Sequence, residues 1–527
     1  MEPSPSQRLR VWIKLILVAL LVTVSPAGVP VTQVTAAGAL AQVIYLPISD
    51  KNNPYDWLQF GGDPAHSSNN NTETSLSAGN VATLGLHFQV SLPGIADGAP
   101  AYLSGVLTQN GTHDLLFVTT SNGFIAALDA HTGILIWSKQ YGPAGCVINN
   151  ASQPCYTTSS PAIDPNRQFV YSYGLDGYVH KYSVRDGAEI KTGGWPELTT
   201  SKRYDEKGSS ALSIAITANG ARYLYVAQAG YPGDRGNYQG HVTAINLANG
   251  SQKVFNMLCS NQAVHFIDSR ITSGPDCYPD TTAAVWARPG LVYDPYHDRI
   301  LMATGNGTFQ PGNFMWGDSV ISLNPDGSGS GNNPLDSYTP LNYQHLQDTD
   351  LDLGSTAPAI LPPSAGKYPH LAVQGGKDSL LRLINLDKLS GQNGVGHVGG
   401  EVFSMLLPVG GMILTQPAVW INPSDSSTWV FVSTPNGLSA LRLIISASGD
   451  PSLAQQWSGG GGTSPLVANG VVFIARSGLI SAYKATDGTL LWSNNQIGSI
   501  HWESPVVANS VLYITDSGGD LTAYTLP

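Results

Sequence analysis

Apolar and polar residues alternate in short runs along most of the chain after Leu84, and glycine-bearing turns separate the runs. Leu84, Leu86, Phe88 and Val90 alternate with Gly85, His87 and Gln89, the period-two pattern of a half-buried strand. The clearest unit runs from Leu115 to Trp137. Leu115–Thr120 predicts a strand, Ser121-Asn122-Gly123 a tight turn, Phe124–Asp129 a second strand, His131-Thr132-Gly133 another turn and Ile134–Trp137 a third strand. The same order returns at Val472–Ala475, Ser477-Gly478, Leu479–Lys484, Thr486-Asp487-Gly488 and Thr489–Trp492. Looser copies occupy Phe169–Ile190, Tyr223–Val254, Ile300–Gly327, His370–Leu389 and Val430–Trp457.

Eight segments open alike, with a small or polar residue, then usually proline, then an apolar run. They are marked by Pro100, Pro161, Ala211 (in the proline's place), Pro289, Pro358, Pro417, Pro465 and Pro505, at spacings of 40 to 78 residues. Self-similarity at such a period signals a propeller or a solenoid. Each unit reads as four antiparallel strands, one propeller blade. The eighth supplies only Val506–Ala508, Val511–Thr515 and Leu521–Leu526 before Pro527. The strand at Leu84–Leu92 supplies the fourth, and closing the ring this way removes edges that would otherwise pair with other chains. The expected fold is therefore all-β: an eight-bladed β-propeller over residues 81–527, built of four-stranded antiparallel blades and closed by an N-terminal strand.

Composition agrees. Charged residues are 12% of the chain, about half the usual 25%, while Gly (58) and Pro (35) are abundant, as many short strands and turns require. A net charge of −11 leaves no basic footprint for nucleic acid. Arg8, Arg10 and Lys14 precede the apolar run Leu15–Val24 and small-residue sites at Ser25-Pro26-Ala27 and Ala39-Leu40-Ala41, the layout of a secretory signal peptide over residues 1–41. That run is too short to span a bilayer, which takes about 20 residues, so no membrane span is expected after cleavage. Residues 42–80 are polar and read as a linker with one anchored patch around Trp57. The four cysteines allow three pairings; the local ones, Cys146 with Cys155 and Cys259 with Cys277, are favoured because each staples a single loop. Disulfides fit a secreted or periplasmic location, and no Cys/His spacing for zinc appears.

Ala127-x-Asp129-x-x-Thr132-Gly133-x-x-x-Trp137 is similar to the blade-docking motif of the pyrroloquinoline-quinone (PQQ) dehydrogenases, with looser versions at Ala482…Gly488…Trp492 and Ala244…Gly250. The motif's physics is plain: Gly allows a left-handed turn, Asp or Thr bonds free backbone there, and Trp packs between blades. Asp56-Trp57-Leu58-Gln59-Phe60-Gly61-Gly62-Asp63 also resembles the opening of mature quinoprotein alcohol dehydrogenases. The resemblance implies an oxidoreductase that acts on an alcohol or sugar hydroxyl with PQQ and calcium. It implies that Trp286 stacks under the quinone, that Asn306 of Thr304-Gly305-Asn306 ligates calcium, and that Lys377 contacts the quinone oxygens.

Some positions depart from the family. Its general base is expected in a PGDN-like segment, where this chain has Pro311-Gly312-Asn313, and Asn cannot accept a proton from an alcohol. Asp318 is the substitute, as base and metal ligand. No adjacent cysteine pair exists, and no early-blade equivalent of the calcium-binding Glu is evident. Asp348, Asp350 and Asp352 alternate and would share one face of a strand, and the Asp350-x-Asp352 piece resembles an acidic pair at this place in the family. The sequons at Asn110, Asn150, Asn249 and Asn306 read as hairpin turns. Two functions remain open: the quinoprotein oxidoreductase, and a non-catalytic scaffold that binds a cell-envelope protein through its rims.

Overall fold

The structure is a computed structural model, and it describes residues 55–527 apart from 143–144, 150, 233, 268–276, 278, 390 and 392–393. The signal peptide expected over 1–41, the first part of the 42–80 segment and Asn150 lie outside the described residues.

Eight antiparallel sheets form an eight-bladed propeller. Blades one to seven span residues 101–140, 162–198, 213–256, 292–338, 359–406, 418–459 and 466–494; the eighth takes residues 506–525 and the early strand Gly85–Ser91. Pro100, Pro161, Pro358, Pro417, Pro465 and Pro505 each stand immediately before an innermost strand, whose first residues are Ala101, Ala162, Ala359, Ala418, Leu466 and Val506. Proline has no N–H to leave unpaired where a strand begins.

The ring closes as the repeat count requires. Gly85–Ser91 lies antiparallel to Asp520–Thr525, with Leu86 opposite Tyr524 and Val90 opposite Leu521; His87 sits at a bulge between the pairs of Leu86 and Phe88. Docking follows the motif chemistry. The Asp129 carboxylate accepts from the backbone N–H of His131 and Thr132 and from the Thr132 hydroxyl. The indole N–H of Trp137 donates to the Val184 carbonyl of the next blade at 3.0 Å. Its ring lies against Gly187, where a Cβ would fall 2.5 Å from Cε3, so the glycine of one blade receives the tryptophan of the blade before it. Trp457 repeats this on Ala485 and Gly488. Trp492 donates to the Leu84 carbonyl, which ties blade seven to the closing strand. Both local cysteine pairs form disulfides, with Cα–Cα distances of 5.4 and 5.8 Å.

Residues 55–80, read from composition as a linker, are instead packed against the propeller. Trp57 is anchored as expected, exchanging backbone hydrogen bonds with Tyr102 of blade one. Beyond it, the carbonyls of Leu58, Pro64, Ser67 and Ser68 accept from the innermost-strand N–H groups of Ile163, Tyr293, Val419 and Val467, in blades two, four, six and seven. The Gln59 side chain accepts from Ile214 in blade three, and the Asn70 amide donates to Val507 in blade eight. The segment thus runs around the inside of the ring and satisfies backbone groups that the innermost edges leave free. His66, fully buried, bridges the Phe60 and Leu291 carbonyls.

Candidate functional site

In a four-stranded meander, the link between second and third strands lies at the same end of the ring as the link to the next blade. Trp286 sits in the link from blade three to four, Asn306 and Asp318 in the excursion between Arg299–Ala303 and Val320–Leu323, Asp350 and Asp352 in the link from blade four to five, and Lys377 in the turn between Leu371–Gln374 and Leu380–Asn385. Segments distant in sequence therefore meet at one channel mouth.

Gly305 is the hinge of the contact. A Cβ there would lie 2.6 Å from Asp352 Oδ1 and 2.9 Å from Trp286 Cδ1, so only glycine admits both neighbours. The Asn306 N–H donates to Asp352 Oδ1 at 2.6 Å. The Lys377 ammonium pairs with Asp352 Oδ2 and lies 3.2 Å from Asp350 Oδ1. Asp318 donates its N–H to the Gly305 carbonyl, and its Oδ1 accepts from the Leu353 N–H, each at 3.0 Å. Trp286 is half-buried and meets the edge of the Tyr238 ring at 6.1 Å. The structure thus brings together Trp286, Asn306, Asp318 and Lys377.

Two oxygens here are buried without a protein partner: Asn306 Oδ1 and Asp318 Oδ2. A buried oxygen without a donor is costly, and a hard cation satisfies such oxygens. Burial pushes the Asp318 carboxyl up to about 8, with Asp352 and Asp378 adding and the Leu353 N–H and Lys377 opposing. Asp352 is also raised by burial, against the pull of Lys377.

The acidic trio is not a strand face. Asp348 ends in the short helix Tyr343–Thr349, where Gln344 bonds it; Asp350 follows with a left-handed φ of 56°; Asp352 precedes the 3-10 turn Leu353–Ser355. The carboxylates therefore diverge, and Asp352, which sequence reasoning left in a family likeness, becomes the buried group of the site. Asn313 is exposed on the Pro311–Asn313 turn and its amide donates to Gln310.

Two buried cations adjoin the site. Lys207 bonds the Thr158 and Ser209 hydroxyls at 3.2 and 3.3 Å and lies 5.0 Å from the Tyr156 ring, next to Cys155. On the same two residues, Arg288 donates to the carbonyls of Ser209 and Thr158, and also to that of Asp97, and lies 5.7 Å from the Trp502 ring. No sequence motif marked this pair, because Lys207 precedes the meander of blade three and Arg288 follows it. Burial pushes the Lys207 ammonium down to about 7 from 10.5, with Arg288 adding and Asp97 opposing. The unfolded chain then binds the extra proton between those values, so stability rises with pH from about 7 to 10.5. Lys207→Met should raise the melting temperature below pH 7 and flatten that rise, as calorimetry across pH would read.

A repeat-family model, PQQ_2, described as outer membrane protein assembly factor BamB, matches residues 76–265 and 414–526. The dehydrogenase subunit of an alcohol dehydrogenase (quinone) from Gluconobacter oxydans (strain 621H) is 22% identical over 378 residues, covering 63% of this chain and 43% of that protein. The chain therefore spans less than half the length of that relative. Among solved structures, the quinohemoprotein alcohol dehydrogenase of Pseudomonas putida HK5 superposes with a TM-score of 0.61 at 14% identity, over 90% of this chain and 81% of that one. A europium-containing methanol dehydrogenase gives 0.62 at 13% identity, over 90% and 98%. The quinohemoprotein alcohol dehydrogenase of Comamonas testosteroni gives 0.56 at 16%, over 89% and 80%. At these identities the likeness shows a shared fold.

Proposed function

Since the chain belongs to the PQQ_2 repeat family, we propose that it is an exported quinoprotein-type oxidoreductase that holds PQQ and calcium where blades three, four and five meet and oxidises an alcohol or sugar hydroxyl. The observation that carries this is the pair of buried, unpartnered oxygens on Asn306 and Asp318 beside a half-buried tryptophan. Trp286 offers a flat face to a flat ring, and Asn306 Oδ1 and Asp318 Oδ2 offer hard oxygens to calcium. Lys207 and Arg288 suit the carboxylates of an anionic cofactor. When bound, the ortho-quinone supplies a two-electron acceptor. Lys377 anchors Asp352 and would bring positive charge to the quinone.

The role of base, assigned from sequence to Asp318, passes to Asp352. Asp318 is held by Leu353 and, near 8, keeps its proton at neutral pH unless a cation takes the place. Burial raises Asp352 as well, but its pair with Lys377 pulls it back toward the ionised, proton-accepting form. The two disulfides support an oxidising compartment.

The experiment is titration of the purified chain with PQQ and calcium, followed by quinone absorbance and by dye reduction with a panel of alcohols and sugars. One PQQ per chain and substrate-dependent dye reduction are expected. No uptake at micromolar PQQ overturns the reading. The family's BamB description and the missing adjacent cysteines favour a second one, a non-catalytic scaffold with a cell-envelope partner. PQQ retained without turnover would support it.

A further inference from the structure

The first two strands of each blade are joined at the end of the ring away from Trp286. There the hairpin of blade four (His297) and the matching end of blade five (His370 and Asp387) bring three metal-ligating side chains together, one donor atom of each within 4.8 Å of the others. His297 Nε2 and His370 Nδ1 both lie 2.9 Å from the same oxygen, Asp387 Oδ1. The imidazoles meet edge to face at 5.1 Å and 86°, so they converge by their nitrogens instead of stacking. Tyr296 stacks on His370 at 4.9 Å and fixes that ring.

The other nitrogen of His297 is also held. Its Nδ1 is 2.7 Å from Oδ2 of Asp294, whose side chain is 2% exposed. A neutral ring bonded this way carries its proton on Nδ1 and turns the lone pair of Nε2 onto a carboxylate oxygen. Lone pair facing lone pair at 2.9 Å calls for positive charge between them, either a second ring proton or a cation. Two imidazole nitrogens and a carboxylate oxygen form a donor set for a divalent transition metal and a poor one for calcium. A carboxylate behind a ligating histidine sets its tautomer and orientation. Tetrahedral zinc with bonds of about 2.0–2.1 Å spaces its ligands by roughly 3.3 Å. The rings are partly exposed and need to open by only a few tenths of an ångström.

We propose that His297, His370 and Asp387, oriented by Asp294, form a zinc site that clasps blade four to blade five, with water as the fourth ligand. It lies at the opposite end of the ring from the PQQ reading and does not depend on it.

The test is calorimetric titration of the full chain, stripped with chelator, using zinc and, separately, calcium. One zinc per chain at micromolar affinity or better, a higher melting temperature with zinc, and no calcium at this site are expected. Asp294→Asn, which removes no ligand, should weaken zinc about 10–100-fold. His370→Ala and Asp387→Asn should abolish the stoichiometric uptake while circular dichroism shows the β-fold intact. Uptake that survives both substitutions, or no uptake by the native chain, overturns the site and leaves a proton as the charge between the groups.

Discussion

In the proposed quinoprotein, Asp352→Asn should lower kcat by about 10²–10⁴-fold with PQQ and calcium still bound, the loss characteristic of a missing general base. The substitution is nearly isosteric, and the amide oxygen still accepts from the Asn306 N–H, so the loop keeps its place. Proton acceptance is lost, and so is the ion pair with Lys377. If Asp318 were the base as well as a metal ligand, the outcome would differ: Asp352→Asn would change turnover little, and Asp318→Asn would abolish turnover even at saturating calcium. On the present reading Asp318→Asn chiefly weakens calcium, because it alters the unpartnered Oδ2. Turnover with each variant, alongside calcium affinity by calorimetry, separates the two. Asp352→Asn with native kcat sinks the assignment.

The fold was legible because its signals are local. Period-two alternation, Gly-bearing turns and the prolines before innermost strands are set within a few residues of one another, and Val506–Ala508 and Val511–Thr515 carry the bounds expected of them. Ring closure followed from counting strands, and pairing of Leu86 with Tyr524 bears it out. The stretch around Ser67, Asn69 and Asn70 misled because its polarity, which reads as solvated linker, serves backbone groups inside the ring. Polar side chains in a channel and in a linker have the same composition; only the other blades distinguish them.

Trp286, Asn306, Asp318 and Lys377 were reachable through a family likeness, and the structure gathers them at one mouth. Asp352 was named only as part of an acidic pair and given no role, because alternating aspartates imitate a strand face, whereas the chain leaves a helix through a left-handed Asp350. The weight placed on Asn313 came from a segment that proves to be an exposed turn. Lys207 and Arg288 flank blade three and come together only against the links before blades one and two. Local sequence carries no trace of that.

A chain that starts at Pro93 should yield no soluble monomer, whereas one that starts at Leu84 should fold with reduced stability. The first lacks both the lining segment and Gly85–Ser91. It leaves Asp520–Thr525 as an open edge whose Leu521, Ala523 and Tyr524 are buried in the native ring, and it deprives the Trp492 indole of its acceptor. Each buried N–H left without a partner costs about 1–3 kcal/mol, and the lining segment alone serves those of Ile163, Ile214, Tyr293, Val419 and Val467. Both shortened chains bear that cost; the first loses the closing strand as well, which brings its total to the whole stability of a typical domain, about 5–15 kcal/mol. The second chain lacks the lining segment too, with the core residues Trp57, Phe60, Leu76 and Val81, but it keeps the closing strand and the Leu84 carbonyl, so the ring still closes. Size-exclusion chromatography with light scattering distinguishes monomer from aggregate. Hydrogen exchange at Asp520–Thr525 reports the closing pair directly. A monomeric chain from Pro93 with native protection at those amides would mean that the eighth blade holds together with three strands, and closure by the early strand would then contribute little to the ring.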